Sequence, residues 1–361
     1  MKKHGEVRAA LGIVAVAVSA DFAAGRELAA FYAQLADLSW LAAALSAALF
    51  GLIVAMLSRM ARRSEAGNMF ELFRRTPGGG MGRGVNVMNP ILKYPGAKWR
   101  LADWIISRMP SHIGYVEPYF GSGAVFFNKP PSAIETINDI DGSVIRFFRT
   151  CRERPEELSR ALALTPWSRE EFMLSDFCDE QTDDVEAARQ FAVRCWMTFG
   201  ARTRCKTGWR HTVGKMSNHG PNTPRMWLRL PEVVLQVADR LICAQIENRP
   251  AVDVIRNNDG QNVLIYADPP YMMATRTLSG VQYRFEMTDS DHEELLKALL
   301  THSGMVMLSG YDCELYRDML PGWTMESTAA RAERGVARTE CLWSNPAAMD
   351  RRGQLLLGVN P

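Results

Sequence analysis

The sequence is poor in the residue pairings that build metal centres. Its seven cysteines (Cys151, Cys178, Cys195, Cys205, Cys243, Cys313 and Cys341) form no CxxC and no cysteine–histidine cluster with zinc spacing. That argues against a structural metal and suits a reducing compartment. A phosphate-binding P-loop, a GxSxG nucleophile elbow and an HExxH zinc helix are also missing, which leaves three common hydrolase readings without a motif. Net charge is scant, at +2 over 361 residues, so local charge must carry any argument for a polyanionic partner. With 47% apolar and 23% charged residues, the chain reads as globular, in two or three units.

What is present changes along the chain. Leu38 to Leu57 runs without a charge, and Arg59, Arg62 and Arg63 follow it. A bilayer core takes about 20 apolar residues, and basic residues after a span mark its cytoplasmic side. Ala9 to Ala24 is also apolar but carries Asp21. A signal peptide fits poorly, because the long run lies too far in and lacks a cleavage site. Val18 to Glu27 resembles the first broken helix of YkvI-like bacterial membrane proteins; two spans cannot build a transporter, so that resemblance implies a truncated remnant. Thr76 to Gly84 is a linker rich in glycine. Residues 1–66 are therefore expected to be hydrophobic, membrane-like helices capable of membrane association through 38–57, and 67–87 a flexible linker. The globular part is expected over 88–361.

From Met88 onward strands and helices alternate. Strands are expected at Tyr115–Glu117, Ile134–Ile137, Ala244–Ile246, Val263–Ala267 and Met305–Leu308. Helices are expected at Pro231–Leu241 and Asp289–Leu300, with Asp289 as the cap of the latter. Residues 145–230 are read as an insertion, helical and then irregular. Such alternation implies a mostly parallel sheet with helices on both faces, an α/β fold.

Two short stretches carry chemistry. Asp268-Pro269-Pro270-Tyr271 ends the apolar strand Val263–Ala267, and open α/β sheets place ligands at strand carboxyl ends. An aromatic amine is a poor nucleophile because its lone pair is delocalised. A carboxylate from Asp268 and the carbonyl of Pro269, each accepting one N–H, would draw that pair back onto nitrogen. The two prolines stiffen the turn, and Tyr271 offers a stacking face. The second stretch, Glu117-Pro118-Tyr119-Phe120-Gly121-Ser122-Gly123, suits close backbone approach to a nucleoside-bearing ligand. Phe126 stands where a dinucleotide fingerprint has its third glycine, which disfavours NAD. Asp139, at the end of the second strand, is placed to bind ribose hydroxyls, and also reads as a turn or cap.

Lys93 to Lys98, Glu117 to Gly123, Asp139, Asp268 to Tyr271 and Arg338 to Trp343 follow one another in an order similar to Dam-type N6-adenine DNA methyltransferases, over nearly all of 88–361. The resemblance implies a Rossmann-like, S-adenosylmethionine-dependent methyltransferase fold with a mainly helical target-recognition insertion. It implies transfer of a methyl group to a flipped adenine in double-stranded DNA, with the enzyme monomeric on DNA and no metal. Residue by residue, it implies that Tyr94, Gly96 and Lys98 form the amino-terminal cofactor motif. Glu117, Pro118, Gly121 and Gly123 would form the cofactor loop, Asp139 the ribose acid, and Asp253 the residue near the cofactor adenine. Asp268, Pro269, Pro270 and Tyr271 would be catalytic. Ala97 stands where glycine is frequent in the family. Methylation of the cytosine N4 amine, a catalytically silent DNA-binding module tethered to a membrane, and a membrane protein with an incidental soluble part are the alternatives.

The insertion has its own signature. From Phe191 through Leu230 there is no acid, while Arg194, Arg202, Arg204, Lys206, Arg210, Lys215, Arg225 and Arg229 fall there among Trp196, Phe199, Trp209 and Trp227. Lys206 to Arg210 reads as a loop or hairpin tip. Basic side chains among aromatics suit phosphate neutralisation with groove or base contacts. Arg202, Arg204, Lys206, Arg210 and Lys215 are the candidate DNA contacts.

Overall fold

The structure, a computed structural model, describes residues 88–175, 181–199, 208–211, 223–275, 283–331 and 337–356. The chain divides between Val87 and Met88 into two units, and the described residues belong to the second. The apolar run 38–57, the stretch 18–27 and the linker lie outside them. Among the described residues no helix is long and apolar enough to cross a membrane.

Seven strands form one sheet in the order β3-β2-β1-β4-β5-β7-β6. They are β1 (Gly114–Glu117), β2 (Ile134–Asn138), β3 (Gln245–Glu247), β4 (Val263–Ala267), β5 (Met305–Gly310), β6 (Thr324–Arg331) and β7 (Ala337–Ser344). Strands β1 to β5 pair in parallel, and β7 enters antiparallel between β5 and β6. The central strands are apolar on both faces, as strands covered by helices on each side must be. Side chains alternate between those faces with period two. Tyr115, Leu264, Tyr266, Met305 and Met307 join one core cluster, whereas Val116, Ile265, Ala267, Val306 and Leu308 join the other.

The helices divide between the same faces. The first core takes α1 (Ala102–Ile106), α2 (Ala124–Asn128), α3 (Gly142–Glu153), α4 (Pro155–Leu164), α5 (Arg169–Leu174), α6 (Asp184–Met197), α7 (Thr223–Trp227) and α8 (Leu230–Leu241). The second takes α9 (Ala251–Asn257), α10 (Asp289–Thr301) and α11 (Glu314–Met319). A last helix, α12 (Pro346–Leu356), follows β7. The insertion is thus mainly helical, and packs on one face of the sheet through α3, α4 and α6.

Two expectations need correction. Asp289 does not cap α10. Thr288 is the cap: its hydroxyl accepts from the Asp291 N–H at 3.2 Å while the Asp291 carboxylate accepts from the Thr288 N–H at 2.7 Å, a reciprocal capping box. Nor are the insertion's aromatics all available to a groove. Trp196 and Trp227 are 1% and 2% exposed, and their indole N–H groups donate to the carbonyls of Ile91 and Thr165, both at 2.9 Å. Arg194 is buried as well, with its guanidinium on the Ser175 carbonyl at 3.2 Å. An inward helix face holds tryptophan well once its N–H finds a carbonyl, and an acid-free window does not report which side chains point inward.

The cap correction has a direct check. Thr288→Ala should cost about 1 kcal/mol, read as a lowered midpoint in urea denaturation, and Asp289→Ala should cost clearly less. Equal losses would return the cap to Asp289.

Candidate active site

Strand order reverses at one place. From β1 the chain steps outward to β2, and from β4 it steps outward to β5 on the opposite side. Crossovers leaving in opposite directions open a crevice beyond the strand carboxyl ends. A cavity of about 530 Å³ lies there, lined by Glu117 from the end of β1, Asp139 from just past β2 and Asp268 from just past β4.

The loop after β1 is shaped by backbone geometry. Gly121 and Gly123 adopt φ of +50° and +64°, a region costly for other residues. This aims the Gly121 N–H at Asp139 Oδ2 (2.8 Å), while the Asp141 N–H holds Oδ1 (2.9 Å). Asn138, fully buried, ties the neighbouring loops together. Its amide donates to the carbonyls of Pro118 (2.9 Å) and Arg249 (3.0 Å) and accepts from the Arg249 N–H (2.9 Å). Burial lifts the Asp139 carboxyl to about 7 even though the backbone N–H groups of Asp141, Gly121 and Ile140 favour its charged form. Glu117 accepts from the Tyr115 hydroxyl at 2.7 Å. Burial pushes its carboxyl up to about 8; the Tyr115 hydroxyl opposes that rise and Asp268 adds to it.

Asp268 sits in a second group of contacts. The Lys98 ammonium lies 2.9 Å from Asp268 Oδ1 and also donates to the Gly96 carbonyl at 2.9 Å. Burial works against the Lys98 charge, but Asp268 and Glu340 outweigh it and hold its pKa above the ordinary lysine value. Burial raises the Asp268 carboxyl above the usual aspartate range, opposed by that same ammonium. Lys98 Nζ is also 4.8 Å from the centre of the Tyr271 ring. The Tyr271 hydroxyl donates to Glu340 Oε2 at 2.7 Å, and its ring meets Tyr311 edge-on at 4.6 Å. Lys98 therefore reaches a carboxylate, that of Asp268. Tyr271 is pinned by β7 and overlaid by a cation.

Tyr94, Gly96, Lys98, Glu117, Pro118, Gly121, Asp139, Asp253, Asp268 and Pro270 all line the one cavity. Gly123, Pro269 and Tyr271 do not. Gly123 instead begins α2, where an added Cβ would come within 2.5 Å of both Phe120 and Phe127. Lys93 turns away and lies over the Trp196 ring at 5.0 Å. The sequence reading missed the apolar walls, Ile140, Val252, Phe285 and Met287, as well as Tyr115, which holds Glu117, and Asn138, which ties the loops beside it; Glu340 fell inside a motif but with no role given to it. Tyr283 to Met287 carry no motif. Tyr115 had a legible signal, since it lies two positions before Glu117 on one strand face.

Of the candidate DNA contacts, Arg202, Arg204, Lys206 and Lys215 lie outside the described residues. Arg210 is described: its guanidinium donates to the Thr198 carbonyl at 3.1 Å. It follows Trp209, which bridges antiparallel to Thr198, so these residues form the stem of a hairpin rather than its tip. Trp209 stacks on His211 at 5.4 Å, and the Arg169 guanidinium lies 4.8 Å from its ring centre.

Comparison with known proteins adds to the geometry. The model of a family described as D12 class N6 adenine-specific DNA methyltransferase matches residues 94–332. A DNA N-6-adenine-methyltransferase of Escherichia phage P1 is 25% identical over 67% of this chain, which spans only 32% of that protein's length. The type II methyltransferase M1.LlaDCHI of Lactococcus lactis subsp. cremoris is 25% identical over 64% of this chain and 85% of its own. A DNA adenine methylase of Salmonella typhi is 25% identical over 63% of this chain and 82% of its own. The stretch resembling YkvI-like proteins precedes the family match and draws no support from it.

The Lys98–Asp268 pair makes a stability prediction. Lys98→Met leaves a largely buried carboxylate without its cation and should destabilise the fold by about 3 kcal/mol. Adding Asp268→Asn should recover part of the loss in urea denaturation; strictly additive losses would show that the two side chains are not coupled.

Proposed function

The chain belongs to the D12 class N6 adenine-specific DNA methyltransferases, and from that footing we propose that it transfers a methyl group from S-adenosylmethionine to the N6 amine of an adenine extruded from duplex DNA. The observation that carries the reading is the convergence of Glu117, Asp139 and the Asp268–Pro270 turn on one cavity at the switch point of the sheet.

The residues fit the cofactor. A cavity of about 530 Å³ is in the range that holds a ligand of this size. Two of its buried acids, Glu117 and Asp139, are suited to an ammonium group and to ribose hydroxyls. Ile140, Val252 and Phe285, with Asp253 beside them, offer an apolar wall with one acceptor for an adenine ring. Tyr94, Gly96 and Lys98, with Pro118 and Gly121, close the remaining sides. When bound, S-adenosylmethionine supplies an activated methyl group that an amine can accept.

The chain's own residues prepare that amine. The Asp268 carboxylate offers about four lone-pair sites, enough to keep Lys98 and to accept one amine N–H. The Pro269 carbonyl accepts the other, with Pro270 stiffening the turn. Both acceptors draw the lone pair onto nitrogen and then stabilise the positive charge that develops there. The Lys98 ammonium favours the ionised form of Asp268 against the effect of burial. Tyr271 stacks on the extruded base, which costs a few kcal/mol to unstack from the duplex. Asp268 need not be a strong base, because the methylated amine is acidic and loses its proton afterwards.

For target choice we assign residues 145–230. Arg202, Arg204, Lys206 and Lys215, with Arg210 at the hairpin stem, would neutralise phosphates and make binding fall steeply with salt. Residues 88–361 form the catalytic unit, and 67–87 join it to the apolar segment 1–66.

Incubation with duplex DNA and S-adenosylmethionine, followed by digestion and mass spectrometry, should yield N6-methyladenine. Folded protein that binds the cofactor but methylates no DNA would sink the reading, and N4-methylcytosine in its place would move it to the other amine. Asp268→Ala should abolish product while cofactor binding stays largely intact.

A further inference from the structure

Behind Glu117 runs a buried chain of polar contacts that no motif announces. Arg240, in the last turn of α8, donates to Glu135 Oε1 at 2.8 Å. Glu135 holds the Lys129 ammonium at 2.6 Å. Lys129 Nζ lies 4.3 Å from the centre of the Tyr115 ring, and the Tyr115 hydroxyl donates to Glu117 Oε2 at 2.7 Å. Tyr115, Lys129 and Glu135 are 0%, 5% and 4% exposed. Pairing of β1 with β2 sets Tyr115 opposite Glu135, and strand alternation puts Tyr115 and Glu117 on one face.

Packing needs only the ring of Tyr115. It belongs to the apolar core of that face, and phenylalanine would fill nearly the same volume. The hydroxyl is an added polar atom in a dry interior, and such atoms need a partner; here the partner is the carboxyl that lines the cavity. We propose that Tyr115 is a positioning residue for cofactor binding: its hydroxyl, carried on a ring that Lys129 overlies, holds the Glu117 carboxyl in place and aims it at the ammonium end of S-adenosylmethionine. This rests on the role given to Glu117 above.

The charges around Glu117 show why a donor is needed. Asp268, beyond β4, disfavours its ionisation, while Lys129 and the Phe126 backbone N–H favour it. Tyr266 on β4 and Glu135 on β2 face Tyr115. With its carboxyl lifted from 4.5 to about 8, Glu117 is neutral at low pH and charged at high pH. Cofactor affinity should therefore climb as pH rises toward 8. It should decline again only as the cofactor's own α-amino group loses its proton, at about 7.7–8.0 in model compounds. Removing the Tyr115 hydroxyl raises Glu117 further, so only the acid limb of the profile moves.

The test is calorimetric titration of the full chain with S-adenosylmethionine across that pH range, for wild type, Tyr115→Phe, Glu117→Gln and the double variant. Tyr115→Phe should bind about tenfold more weakly at neutral pH, with its acid limb shifted upward and its alkaline limb unmoved. Glu117→Gln should lack the acid limb, and adding Tyr115→Phe to it should change little. A Tyr115→Phe profile that overlays wild type, beside a weakened Glu117→Gln, would reduce Tyr115 to core packing. A Glu117→Gln that binds like wild type would instead overturn the role of Glu117. Without any variant, carbon-13 NMR of labelled glutamate should show one carboxyl titrating with the midpoint of the acid limb. Glutamates that all titrate in the ordinary range would overturn the proposal.

Discussion

Glu117, Asp139 and Asp268 stand at the carboxyl ends of three adjacent parallel strands and face one cavity. Burial makes each of these charges costly, and Asp268 makes Glu117 harder still to ionise. Much of the local structure answers that constraint. Asp139 is held by two backbone N–H groups, Glu117 by a phenol and Asp268 by an ammonium. Each solution dictates something in the chain. The N–H groups need a loop with left-handed glycine at 121 and 123, the phenol needs tyrosine two positions before Glu117, and the ammonium needs Lys98 delivered from outside the sheet.

The three kinds of donor leave the acids with different freedom. A carboxylate held by backbone alone cannot move, which suits recognition of fixed hydroxyls. One held by a lysine keeps spare lone pairs for a third group. Lys98 also overlies Tyr271, and Tyr271 is tied through Glu340 to β7. The Asp268 turn is thereby connected to an antiparallel strand well beyond it in sequence. The antiparallel β7 between β5 and β6 is what places Glu340 within reach.

The insertion shows a second logic. Its helices pack on one face of the sheet and share a core with Tyr115 and the phenylalanines of α2 and α3. Two of its tryptophans and one arginine belong to that core, so its composition served two purposes at once. The acid-free window includes a buried helix face as well as the exposed Arg225 and Arg229. Charge and aromatic counts read along the chain merge the two.

The sheet was largely legible because its central strands are short apolar runs with turn residues after them, and β4 was read at its true bounds, Val263–Ala267. The acids at the strand ends were legible from the glycine and proline turns beside them, although Asp139 also binds backbone N–H groups as a turn residue does. The cap of α10 was misread by one residue, since threonine and aspartate both cap helices and only the reciprocal bond tells them apart. Local sequence thus determined the strands, their face alternation and the chemistry of the turn at Asp268. Tertiary structure alone decided which donors meet which acids. Lys98 and Asp268 are separated by most of the domain and Tyr271 and Glu340 by 69 residues, and contacts across such separations leave no periodicity in the chain. They follow from strand order and from the crevice that its reversal creates.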